Sequence, residues 1–164
     1  MLVRLSRATG FPEFLPDIWG LALKITSGGG DLLLATTGTG PLGRFVVRPT
    51  RRLARPYGSV MPYRSPTGPL LLAAFPLAND GTRFELAWSA LRSAWSPFAV
   101  LEVTSDWDGA SDTPLTFDPV LNQVPGLQSY GWAAQLRRFA YAASRRARGA
   151  DLVPAPSASP APPG

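Results

Sequence analysis

The sequence predicts an α+β fold, with an antiparallel sheet or partial β-barrel over its first two thirds and a C-terminal amphipathic helix after it. Three observations carry this. Short runs of apolar and β-branched residues recur between glycine- and proline-rich punctuation as far as residue 104. One pair of runs is separated by Asn79-Asp80-Gly81, where Asn and Gly accept the positive φ of a tight hairpin. Residues 131–148 carry a period of 3.6.

In chain order, Pro12 and Pro16 make residues 11–17 an extended lead-in along the surface. Residues 20–25 and 31–36 read as strands joined through Ser27-Gly28-Gly29-Gly30. Residues 43–47 form a short candidate strand, and Arg48, Arg51, Arg52 and Arg55 follow in a proline-bounded loop. Residues 68–76 and 82–90 are the two arms of the hairpin, and residues 98–104 are a further strand. Asp106, Asp108, Asp112 and Asp118 lie in a solvated loop, because the odd-position spacing and terminal glutamate of a calcium loop are missing. In the helix, Trp132, Leu136, Phe139, Ala140 and Ala143 share one side, and Arg137, Arg138, Arg145 and Arg148 share the other. Residues 1–149 thus form one domain, and residues 150–164 a disordered tail of proline, alanine and serine.

The 164 residues are enough to bury a core without staples. Apolar residues make up 45% and charged ones only 16%, which leaves apolar surface for a protein partner or a second copy of the chain. The absence of histidine and cysteine excludes thiol chemistry, imidazole bases, soft-ligand zinc sites and iron–sulfur clusters. Of sixteen basic residues only Lys24 is a lysine, and no zinc, helix-turn-helix or RNA-stacking motif accompanies the net charge of +5, so nucleic acid is not the expected partner. Gly38-Thr39-Gly40-Pro41-Leu42-Gly43 lacks the lysine–hydroxyl pair of a phosphate-binding loop and reads as a turn. No run is long enough for a membrane span, no export signal is legible, and cytoplasm is the expected compartment.

Two stretches resemble the haem-bearing core of catalases. The first runs from Arg4-Leu5-Ser6 through Pro16-Asp17-Ile18-Trp19-Gly20-Leu21-Ala22-Leu23-Lys24 to Asp31-Leu32-Leu33. The second comprises Phe117-Asp118-Pro119, Val124-Pro125-Gly126-Leu127, then Arg137-Arg138-Phe139-Ala140-Tyr141 and residues 145–149. Leu15-Pro16-Asp17 and Tyr141-Ala142-Ala143-Ser144-Arg145-Arg146 are similar to a group of actinobacterial catalase-related proteins of unassigned function, some of which carry a phosphodiesterase label. The resemblance implies a sheet related to the catalase core and a chain that starts late, without the family's N-terminal segment. It implies Tyr141 as axial ligand to the iron of haem b, Arg137 as support for its phenolate, and Ser6 on the reactive side of the haem. The peroxide-binding asparagine of the family falls at Ala35, Thr36 or Thr37, and Arg44, Arg48 or Arg64 are the candidates to meet haem propionates. Independently, Arg137 and Tyr141 are i and i+4 on one helix face, and a guanidinium favours the phenolate.

No histidine is present to take the peroxide proton, so no catalytic residue is assigned and efficient dismutation is not expected. The expected function is that of a catalase-derived scaffold, structural or interacting, that needs no cofactor. The alternatives are a haem-binding protein with Tyr141 as ligand and a weak haem-dependent peroxidase.

Overall fold

The computed structural model describes residues 1–7, 14–27, 29–104 and 122–130. The predicted helix at 131–148, the acidic loop at 105–119 and the tail at 150–164 lie outside the described residues. The sheet half of the expectation is observed. Among the described residues nine antiparallel strands form one curled sheet, a half-barrel. They are β1 (Leu2–Arg7), β2 (Trp19–Lys24), β3 (Asp31–Thr36), β4 (Tyr57–Gly58), β5 (Tyr63–Ser65), β6 (Gly68–Pro76), β7 (Arg83–Ala90), β8 (Ser96–Glu102) and β9 (Gln128–Ser129).

The long strand β6 organises the rest. One of its edges pairs along its length with β7. The other is shared, with β4 opposite Ala73 and Ala74 and β5 opposite residues 68–70. Between β4 and β5, Val60 sits at φ 60°, a left-handed conformation that costs a β-branched residue energy and breaks the strand in two. From this split, β4 continues to β3, β2 and β1, while β5 continues to β9. The hairpin between β6 and β7 forms at the predicted place, with Gly81 at φ 76° and the Thr82 amide and hydroxyl both donating to Asp80 Oδ1.

Alternation along the strands sorts side chains between two faces. The inner face carries the core: Leu21, Leu23, Leu34, Tyr57, Leu72, Ala74, Phe84 and Leu101 are buried there, with Val3, Leu5 and Leu86 packed against them. Tyr57 and Phe84 meet edge to face at 5.6 Å between ring centres. The outer face is also buried over β6 and β7, at Leu71, Ala73, Ala87 and Ser89. Its cover is the segment that follows β3, where residues 43–47 depart from the predicted strand. Gly43–Phe45 is a 3-10 helix, and only Val47 pairs, in an isolated bridge with Thr37. The reason is local: Gly38 donates its amide to the Gly43 carbonyl, and a Cβ on Gly38 would stand 3.0 Å from the Gly43 Cα. The chain therefore closes a tight loop where an extended strand would diverge.

The buried Tyr57 hydroxyl donates to the Leu53 carbonyl at 2.9 Å, and burial pushes its pKa up from 10.0 to about 12. Because the folded chain holds this proton to higher pH than the unfolded one, stability is unaffected below pH 10, falls as pH rises from 10 to 12, and then levels off. The loss from this group is on the order of 2 kcal/mol. Tyr57→Phe removes that alkaline loss, at a cost of about 1 kcal/mol at neutral pH for the missing hydrogen bond. Urea unfolding of both proteins across pH 8–12 measures the difference.

Candidate functional site

Of the three residues the sequence singles out, Ser6 is described, and Tyr141 and Arg137 lie outside the described residues. Ser6 is half-buried on the outer face of β1, directly opposite Gly20, where an added Cβ would meet its hydroxyl at 3.4 Å. Gly20 in turn opposes Ala35, Ala35 opposes Gly58, Gly58 opposes Ala73, and Ala73 opposes Ala87. A strip of small residues therefore crosses the outer face, half-open at β1 to β3 and buried at β4 to β7. Of the three positions for the family's asparagine, Ala35 belongs to this strip. Thr36 is buried on the inner side, its hydroxyl accepting from the Trp19 amide at 3.2 Å and donating to the Arg48 carbonyl at 2.8 Å. Thr37 lies against Gly58.

Arg44 is not free to meet a ligand. It is 5% exposed, and its Nη1 donates to the Ser89 hydroxyl at 2.9 Å and to the Ser93 carbonyl at 3.1 Å. Its guanidinium stacks on Trp95 at 4.7 Å, and Trp95 itself meets Phe75 edge to face and donates to the Thr39 carbonyl. The charge is thus solvated by protein oxygens and an indole, pinning the 3-10 helix onto the outer face of β7. Arg64 is exposed and stands 5.9 Å over the Tyr130 ring.

Beside the pinned loop is a cleft of about 740 Å³, walled by Thr36 to Gly43 on one side and by Arg48, Pro49, Thr50, Arg55 and Pro56 on the other. Its frame is held at several points. The Arg48 amide donates to the Thr36 carbonyl at 2.7 Å, Thr37 to Pro56 at 3.1 Å, and Asp17 and Thr50 exchange both backbone hydrogen bonds. Asp17 is buried and pairs with Arg7 at 3.5 Å, and the Trp19 indole donates to the Thr50 carbonyl. The lead-in around Asp17 thereby anchors the arginine loop.

No acidic residue occurs between Leu32 and Asn79, a stretch that holds Arg44, Arg48, Arg51, Arg52, Arg55 and Arg64. The ion pairs among the described residues are Arg7–Asp17, Lys24–Asp31 and Arg83–Glu102, so the exposed Arg48, Arg51, Arg52 and Arg55 have no carboxylate partner there. No cluster of histidine, cysteine, aspartate or glutamate suited to a metal occurs among the described residues. Sequence reasoning named the arginines but not the cleft; its legible signal was the absence of acid over residues 32–79.

Replacing Arg44 with alanine deletes its side-chain hydrogen bonds to Ser89, Ser93 and the Gly40 carbonyl, and the stacking on Trp95. We expect a loss of about 2 kcal/mol in urea unfolding and faster proteolytic cutting at residues 40–46. Compared with protein-family models, with curated proteins and with solved structures, the chain has no match in any of the three.

Proposed function

We propose that this chain is an interaction scaffold of catalase-like descent that assembles with a second copy of itself through β8, without turning over peroxide. The observation that carries the reading is the state of that strand. Among the described residues β8 pairs only with β7, and six of its seven residues are exposed. Phe98 is 57% and Val100 53% exposed, and Trp88 of the neighbouring strand is 43% exposed. An apolar edge with open backbone groups is a template for another strand.

A second copy is the occupant because the strand is self-complementary. In an antiparallel pair centred on Ala99, Phe98 of each copy faces Val100 of the other, and Glu102 faces Ser96, so no like charges meet. Pro97 has no amide proton, and because alternate amides of an antiparallel strand turn inward to β7, as Val103 does to the Thr82 carbonyl, the outward donors are a subset of residues 98–102. The β7–β8 register also skips at Phe98, since Ala87 opposes Pro97 while Leu86 opposes Ala99. The bulge turns Phe98 outward as an extra, unpaired residue.

Val100→Lys puts a charge on the outer face of the edge without touching the core. Light scattering on the full chain is expected to give a dimer that this variant converts to a monomer of unchanged circular dichroism. A wild-type chain that stays monomeric at 100 µM, roughly the upper range of transient association, contradicts the reading.

A second reading, haem binding, draws on the half-open strip at Ser6, Gly20 and Ala35, whose small side chains favour a flat group lying there. On this reading the strip would be the floor for that group, with the Ser6 hydroxyl beside it. The axial ligand would be Tyr141, supported by Arg137, and bound haem would supply ferric iron. Under this reading, chain produced with haem precursor has a Soret band that Tyr141→Phe abolishes; a colourless wild-type protein removes it.

A further inference from the structure

We propose that the cleft between residues 36–43 and 48–56 binds a small phosphate-bearing molecule of about nucleotide size. Its volume of about 740 Å³ suits such a ligand. Its charge chemistry is one-sided. Arg48 and Arg55 line it, Arg51 and Arg52 stand just outside, and no carboxylate among the described residues neutralises any of the four. Guanidinium forks left without an acid present paired N–H groups to phosphate oxygens. Thr39, exposed on the facing wall, adds a neutral hydroxyl.

Part of the remaining lining is apolar. Pro41, Pro49 and Pro56 with the exposed Leu42 offer a surface for the non-phosphate part of the ligand. Preformation is the second argument. The walls are tied by the Thr36–Arg48 and Asp17–Thr50 hydrogen bonds and by Arg44 under Trp95, so little order remains to be created on binding. A glycine-rich turn thus meets phosphate here without the lysine of a phosphate-binding loop, the cation arriving from Arg48 and Arg55 across the cleft.

The test is calorimetric titration of the full chain with pyrophosphate and with ADP, both free of divalent metal, and with a short DNA duplex. ADP is expected to bind at one site per chain and more tightly than pyrophosphate. Arg48→Ala and Arg55→Ala should each weaken it about tenfold, while Arg51→Ala and Arg52→Ala change it less than about threefold. All four side chains are exposed, and Arg48→Lys, which keeps the charge but loses the fork, should fall between wild type and alanine. Absence of binding by both small probes at millimolar concentration overturns the proposal. So does tighter binding of the duplex with equal losses from all four arginines, which would mark a diffuse polyanion surface.

Discussion

Everything described here hangs on β6 being paired along both edges. A nine-residue strand with partners of two and three residues on one side cannot belong to a flat sheet of equal strands. Its shared edge forces the break at Val60 and sends the chain into two branches, one through β3 to β1 and one to β9. It also buries both faces of the sheet. Leu72 and Ala74 pack inward, and Leu71 and Ala73 need cover from outside. That cover is the loop that carries the 3-10 helix, pinned by Arg44, and the cleft is the space left beside its docking point.

The two sides of the molecule consequently differ. Around the loop, polar and cationic groups are organised by buried contacts, above all the Arg44 guanidinium held by Ser89, Ser93 and Trp95. At β8 the sheet ends on an apolar strand whose backbone groups face outward.

What could be read from the sequence follows from where each structure is decided. The β6–β7 hairpin and the β2–β3 pair are decided locally, by turn residues between apolar runs, and they lie where the sequence places them within a residue or two. The strands β4, β5 and β9 are decided by their partners, since two or three residues carry no period of their own. Residues 43–47 look like a strand by composition, but Gly38 and Gly43 approach so closely that the backbone turns instead. Ser6 was singled out only through the catalase resemblance; the structure places it on the outer face opposite Gly20. Arg44 was one of three candidates to meet haem propionates, and its burial was not legible because the oxygens and the indole that hold it come from residues 89–95, far along the chain.

The central claim is that β8 is completed by a second copy of the chain. Hydrogen exchange of the amides from Phe98 to Glu102, followed at rising protein concentration, tests it most directly. The account predicts that those facing outward exchange freely in dilute protein and become protected as concentration rises, while amides in β2 and β3 are unaffected. Exchange at β8 that is the same at every concentration would contradict it.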